Sequence, residues 1–375
     1  MTMTFSPEKM VRSHIRPVRS YAPGASSALD REAVRLDWNE SPFGLSPKAQ
    51  AVYDAFRSGN RYPDFSQTRL INALAAYIGT TPDRIIAGAG LDDVFTTTAV
   101  TLIDPGDQVI ISDPTFGVYR SLFSLHGAAV VNVPLGPAPR FALDEDGIVE
   151  SITDRTKLVI LCNPNNPTGT MYDLDTIERI VSRAPCVVAI DEAYAEFSGT
   201  SHLEIADRYP NVILFRTMSK FAGLAGYRVG YGVFPVALLP WARRASPAFC
   251  NLSAIAAEVA IASIDDVDHL RDNVSLLVSE RDRLRRTLNA MPGVEAYDSA
   301  ANFVLLRLPV EDAAEVHRTL AENKVFVRGF PDRDLGLRDC LRVSVGTPEQ
   351  NDAFLHHLGA ALGFASEREP ASRAS

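Results

Sequence analysis

Short apolar runs punctuate the chain at RIIAGAG (84–90), PGDQVIIS (105–112), AAVVNVPL (128–135), TKLVILCNP (156–164), CVVAIDEAY (186–194), NVILFR (211–216) and RVGYGVF (228–234). Most lack polar alternation, the pattern of strands in a parallel sheet covered by helices on both faces. RLINALAAYI (69–78), LDDVFTTTAVTLI (91–103) and DLDTIERIVSRA (173–184) carry the helical period instead. The second of these opens with Asp92 and Asp93, where the helix dipole favours negative charge. Strands alternating with helices predict an α/β domain with a mostly parallel sheet over residues 45–240. Beyond 240 the texture changes. NLSAIAAEVAIASI and HLRDNVSLLVSERDRLRRTLNAM predict long helices, followed by short strands at 301–308, 325–329 and 340–346 and a helix at 311–322. This predicts a smaller α+β domain built from residues 1–44 plus 241–375.

Composition narrows the class. With 375 residues the chain is long enough for one large core and a smaller one. The net charge of −9 is spread without acidic or basic blocks, which argues against a nucleic-acid surface. Cys162, Cys186, Cys250 and Cys340 lie far apart with no C-x-x-C spacing, as expected of free thiols rather than a disulfide framework or a metal site. The N-terminal stretch has no apolar signal core, and no 18-residue apolar run occurs, so a soluble, cytoplasmic protein is expected.

Candidate chemistry gathers where the strands end, the edge at which open α/β sheets bind ligands. GAGLDD puts Gly88, Ala89, Gly90 and Leu91 between a strand and a helix N-terminus. Such a turn is either a phosphate cradle of exposed N–H groups or simply tight packing, and it matches neither a P-loop nor a full G-x-G-x-x-G. CNPNNPTG (162–169) is turn chemistry at its simplest, yet more specific than a turn requires. Asp191 ends an apolar strand, where it is either a helix cap or a buried carboxylate awaiting a cation. FRTMSKFAGLAGYRVGYG (215–232) sets Lys220 and Arg228 among glycines between two apolar runs. A lysine in a dry pocket has a lowered pKa and forms a Schiff base. Phosphate cradle, carboxylate and imine-forming lysine together point to pyridoxal 5′-phosphate.

NPNNPTG, DEAYAEF, RTMSKFAGLAGYRVGY and LRVSVGT resemble the fold-type-I pyridoxal-phosphate aminotransferases, specifically the histidinol-phosphate aminotransferase branch. The resemblance runs from about Tyr21 to about residue 360, with Asn166, Asp191, Lys220 and Arg228 in the family's order and spacing. It implies that Lys220 is the Schiff-base lysine and proton shuttle, and that Asp191 pairs with the protonated pyridine nitrogen. Asn166 and Tyr194 would hydrogen-bond the ring's phenolate oxygen. Ala89, Gly90 and the turn through Leu91, with Thr217, Ser219 and Arg228, would hold the phosphate, and Phe116 would stack on the ring. Tyr62 resembles a tyrosine that reaches across a dimer interface, which implies a homodimer. Tyr21, Asn39, Arg328 and Arg342 would line the substrate pocket.

The same resemblance implies transamination between an amino donor and a 2-oxo acid, with 2-oxoglutarate as acceptor. L-Histidinol phosphate, and so histidine biosynthesis, is the leading choice of donor. The departures lie near the pocket: Leu91 and Asp93 replace a small residue and a glutamate, FSQTRL follows RYPD, PAFCNLSAIA replaces a Pro-Tyr-Asn segment, and Trp38 makes the entrance bulky. These keep aromatic amino acids open as donors. A decarboxylase is disfavoured by GLAGYRVGY, and a transcription regulator by the short segment ahead of LDWNESPFG.

Overall fold

After a two-residue strand β1 (Val34–Arg35), the apolar runs form β2 (Ile85–Ala89), β3 (Gln108–Ile111), β4 (Ala129–Asn132), β5 (Thr156–Cys162), β6 (Val187–Asp191), β7 (Val212–Thr217) and β8 (Val229–Val233). The structure is a computed structural model and describes residues 10–18, 32–247, 250–331 and 335–364. Strands β2 to β8 make one sheet in the order β2-β8-β7-β6-β5-β3-β4. The pairs from β7 across to β4 are parallel, whereas β8 runs antiparallel to both β7 and β2. The exception follows from chain length. Parallel neighbours need a crossover of roughly a dozen residues or more, usually through a helix, and only residues 218–228 join β7 to β8. That short return keeps Lys220 and Arg228 at the sheet edge where β5 and β6 end.

Period-two alternation divides each strand between two cores. Val159, Leu161, Val188, Ile190, Val212 and Leu214 enter one apolar cluster. Leu158, Ile160, Cys162, Ala189, Ile213 and Phe215 enter another on the opposite face, with Tyr119, Phe95 and Phe123. The register Cys162↔Asp191↔Phe215 carries that second face to the strand ends. Asp191 therefore emerges beside the aromatic cluster. The four cysteines are free, as expected.

A second layer is built from β9 (Glu295–Ala296), β10 (Phe303–Arg307), β11 (Val325–Phe326), β12 (Arg328–Gly329) and β13 (Cys340–Ser344). The run expected as one strand over 325–329 is divided. Val325 and Phe326 pair in parallel with β1, while Arg328 and Gly329 join the four-stranded sheet β12-β13-β10-β9. Leu36, Leu306, Leu320, Val343 and Phe354 pack its core.

The change of core does not coincide with residue 240. The helix Ala254–Ile264 packs on the helices Pro47–Ala55 and Thr68–Ile78. Its Ala256, Val259 and Ala260 belong to the sheet's own cluster, as do Leu270, Val274 and Leu277 of the helix Val267–Asn289. Leu284 and Leu288 of that same helix enter the second core, so it bridges the two. The helix Ala254–Ile264 is apolar almost all round, so it needs a covered position that only the larger core supplies. No helix among the described residues is long and apolar enough to cross a membrane.

Two glycines give a stability test. A Cβ on Gly230 would lie 2.5 Å from the Gly90 carbonyl carbon and 2.7 Å from Leu91 Cα, because β8 runs hard against the turn that follows β2. Gly359, inside the helix Pro348–Ala361, has nothing within 4 Å of that position. Gly230→Ala should cost about 1–3 kcal/mol in urea unfolding, and Gly359→Ala should be neutral or gain up to about 1 kcal/mol. Equal effects at both sites would contradict the close approach.

Candidate active site

The sheet edge, the LDWNE segment and the second layer enclose a cavity of about 530 Å³. Into it come Asn166, Asp191, Tyr194, Thr217, Ser219, Lys220 and Arg228, together with Leu91, Phe116, Asn39, Arg328 and Arg342. Ala89 and Gly90 lie behind the wall. The Ala89 N–H is donated to Asp93 Oδ2 at 2.9 Å, and the Gly90 N–H to the Gly88 carbonyl at 2.8 Å. Tyr62 stands away from the cavity and is 79% exposed. Tyr21 lies outside the described residues.

Asp191 is buried at the end of β6. Its Oδ1 accepts the Ala193 N–H at 3.0 Å and its Oδ2 accepts the Tyr119 hydroxyl at 2.5 Å. Burial raises its carboxyl to about 6, and those two donors oppose the rise. Among the described residues it makes no ion pair. Across the cavity, half-buried Lys220 donates from Nζ to the Trp38 carbonyl at 3.0 Å. Burial first, then the nearby Arg342 charge, lower its amine to about 8. A substantial fraction is thus neutral near physiological pH, the state a nucleophilic amine requires.

The NPNNPTG turn divides its labour. Asn163 is tied to the Tyr172 backbone, accepting its N–H at 2.8 Å and donating to its carbonyl at 2.9 Å. Asn165 donates to the Pro114 carbonyl and to Thr168 Oγ1 at 3.0 and 2.9 Å. With both neighbours committed to the turn, Asn166 faces the cavity. It donates to the Tyr194 hydroxyl at 3.3 Å and accepts Arg342 Nη1 at 2.6 Å. The Tyr194 hydroxyl also accepts Asn39 Nδ2 at 3.0 Å, and burial pushes its phenol up.

The turn after β2 is shaped for an anion. The helix Leu91–Leu102 starts at Gly90, φ 84°, with no side-chain cap, so its first N–H groups are left for another partner. A Cβ on Gly90 would sit 2.7 Å from Arg228 Cζ, so the guanidinium fills the space a side chain would take. Arg228 itself has φ 55° and donates to Asp92 Oδ2 at 3.0 Å. The Thr217 and Ser219 side chains complete this corner, with the Ser219 N–H donated to Thr217 Oγ1 at 3.1 Å.

Several contributors carry no obvious sequence signal. Asp37 and Trp38 act through their carbonyls, accepting Arg342 Nη2 at 2.5 Å and Lys220 Nζ. Glu192 is buried and accepts Arg216 Nε and His202 Nδ1, both at 2.6 Å. Burial alone would raise its carboxyl, but those partners hold it below the ordinary value. Two segments that depart from the family pattern also meet, because Asn251 Nδ2 donates to Asp93 Oδ2 at 2.7 Å. That bond fixes the turn from outside.

Lysine, carboxylate and asparagine at the C-terminal edge of a mostly parallel seven-stranded sheet, closed by an α+β layer, match the fold-type-I aminotransferases. The profile of aminotransferase class I and II fits residues 31–358, and the chain belongs to that family. It is 40% identical over 353 residues to the histidinol-phosphate aminotransferase of Roseiflexus castenholzii, covering 92% of this chain and 93% of the relative. Histidinol-phosphate aminotransferase 1 of Archaeoglobus fulgidus is 39% identical over 330 residues, covering 88% and 99%. The crystal structure of histidinol-phosphate aminotransferase from Sinorhizobium meliloti, in complex with pyridoxal-5′-phosphate, superposes with a TM-score of 0.85 at 26% identity, over 96% of this chain and 98% of that one.

The buried carboxylate yields a pH test. A carboxyl raised by folding supports the fold while protonated, and that support is lost as pH rises through the folded value. A shift from 3.8 to about 6 corresponds to about 3 kcal/mol. In cofactor-free protein, Asp191→Asn should therefore unfold at higher urea than the parent at pH 8, by up to that amount. The advantage should fade between pH 6 and pH 4. A pH-independent difference would show that the carboxylate is not held in a desolvated site.

Proposed function

We propose that this chain is a pyridoxal-phosphate-dependent aminotransferase that takes its amino group from L-histidinol phosphate and passes it to 2-oxoglutarate. The observation that carries the cofactor assignment is the pairing across one cavity of an amine made easier to deprotonate by burial, Lys220, with a buried carboxylate that makes no ion pair among the described residues, Asp191. The uncapped helix start beside Arg228 suits the phosphate, so the residues present fit the group. Bound there, pyridoxal phosphate supplies an aldehyde for the amine and a ring that accepts electrons from the substrate's Cα.

The chain's own residues do the rest. Lys220 Nζ holds the cofactor between turnovers and, once displaced, moves the proton of the substrate Cα. Asp191 keeps the ring nitrogen protonated. Asn166 and Tyr194 donate to the ring's phenolate oxygen, which lowers the proton affinity of the neighbouring nitrogen. Thr217, Ser219, Arg228 and the first turn from Leu91 hold the phosphate, with Ala89 and Gly90 forming the back of that turn. Phe116 lies against the ring face. The sheet core forms the cofactor-carrying domain, and the second core completes the substrate pocket. A homodimer in the cytoplasm, with exposed Tyr62 reaching the partner's site, completes the proposal.

The donor is argued from Arg328 and Arg342. They are direct cross-strand partners in the antiparallel pair β12–β13, and both reach the cavity wall. One guanidinium satisfies a carboxylate by a bidentate pair, while two suit a phosphate dianion with its extra charge and third oxygen. Tyr21 and Asn39 belong to the same substrate subsite in this proposal. Trp38, 40% exposed on the cavity wall, supports aromatic amino acids as a second reading.

Specificity constants for L-histidinol phosphate, phenylalanine and tyrosine separate the two. The proposal expects histidinol phosphate to lead by at least about tenfold, 1.4 kcal/mol of transition-state discrimination. Arg328→Ala should reduce its kcat/KM by roughly ten- to a hundredfold, the scale of about 1.5–3 kcal/mol for a hydrogen bond to a charged group. Phenylalanine should be affected far less. A tenfold preference for phenylalanine or tyrosine would overturn the phosphate assignment and leave Arg342 as a carboxylate anchor.

A further inference from the structure

Tyr119 stands on the helix Val118–Leu125, and none of its own surface is exposed. Its ring is held edge-on by Phe95 and by Phe116, each with centroids 5.5 Å away. This clamp holds the hydroxyl between Asp191 and the Cys162 thiol, and it meets Asp191 Oδ2 at 2.5 Å. The phenol's proton is secure, because burial and then the Asp191 charge push its pKa well above the usual value. Tyr119 is therefore the donor and Asp191 the acceptor. The other titratable or charged groups influencing Asp191 are Cys162, Glu192, Asp92 and Tyr194. Cys162, its partner in register on β5, is pushed up to about 12 by burial and keeps its proton.

A carboxylate facing a pyridine nitrogen shares one proton with it. Either the N–H bond is intact and the carboxylate ionised, or that bond breaks, an O–H bond forms and the ring becomes neutral. No electrons leave or enter the pair, so the outcome depends on which atom is more basic. Burial drives the carboxyl towards the protonated form, and a hydrogen bond donated to the charged form drives it back. The Ala193 N–H serves Oδ1, and Tyr119 serves Oδ2.

We propose that Tyr119 is a positioning residue that keeps Asp191 ionised, so that the shared proton stays on the ring nitrogen. This rests on the assignment of Asp191 to that nitrogen. The same hydroxyl orients the carboxylate, because with Tyr119 clamped by two rings Oδ2 is not free to swing. Tyr119→Phe removes one oxygen atom and preserves the aromatic contacts, so the protein is expected to fold.

The experiment loads the wild-type, Tyr119→Phe and Asp191→Asn proteins with pyridoxal phosphate labelled with ¹⁵N in the ring and records the nitrogen chemical shift. Circular dichroism checks each fold. Wild type should give the upfield signal of a protonated ring, and Asp191→Asn the downfield signal of a neutral one. The inference expects Tyr119→Phe to move downfield too, towards the Asn variant. A Tyr119→Phe signal that stays at the wild-type position, while Asp191→Asn moves, overturns the role of Tyr119 alone. Reduced cofactor occupancy with no change in that signal overturns it equally, as a purely structural effect. A neutral ring in wild type, or no response to Asp191→Asn, overturns the Asp191 assignment instead.

Discussion

A carboxylate buried without an ion-pair partner among the described residues is the constraint around which this molecule is arranged. Leaving Asp191 ionised in a desolvated strand end is costly, and the chain offsets only part of that cost through Tyr119 and the Ala193 N–H. The remainder makes the cavity a site that a protonated ring nitrogen satisfies. Lys220 carries the opposite tension. Its amine is lowered by burial and by Arg342, so it is ready to lose its charge by bonding to carbon. The fold thus makes the charged form of each group costlier than it is in water, and one ligand relieves both.

The surrounding structure keeps those groups in place. β8 returns antiparallel after a short loop, which brings Lys220 and Arg228 to the edge where Asp191 ends β6. Below that edge, Glu192, Arg216 and His202 form a buried hydrogen-bonded network, and Asn163 Nδ2 meets His202 Nε2 at 3.0 Å. The network ties the end of β6 to the asparagine turn after β5. From the other side, the Asn39 carbonyl accepts Asn302 Nδ2, the Asn39 N–H is donated to Ser344 Oγ, and Arg342 reaches Asn166. The second layer is therefore hydrogen-bonded into the part of the cavity proposed to hold the cofactor. Substrate contact at Arg342 would be felt at Asn166.

Much of this was legible in the chain. The strands of the large sheet follow from their apolar runs, and Asn166, Asp191 and Lys220 sit in motifs directly attached to strand ends. Such residues announce themselves because the geometry they need is local. Tyr119 does not, since in DPTFGVY it reads as one more apolar position of a helix. The Glu192–His202–Arg216 network and the Asn251–Asp93 bond join residues distant in sequence, and periodicity carries no information about partners. For the same reason the helix Ala254–Ile264 could be predicted without revealing which core would cover it. VFVRG reads as one strand because its side-chain pattern is continuous, yet β1 and β13 each claim an end of it. The resemblance gives Ala89 and Gly90 a part in holding the phosphate, and only the structure reveals that their own N–H groups are used within the turn.

The central claim is that Lys220 is the amine that bonds to the cofactor. Borohydride reduction of the loaded protein, followed by peptide mapping, fixes the reducible adduct as a stable mark on one residue. The account predicts a single modified peptide containing Lys220, with the mark absent from Lys220→Ala. A stoichiometric mark on Lys9, Lys48, Lys157 or Lys324 in its place would contradict it.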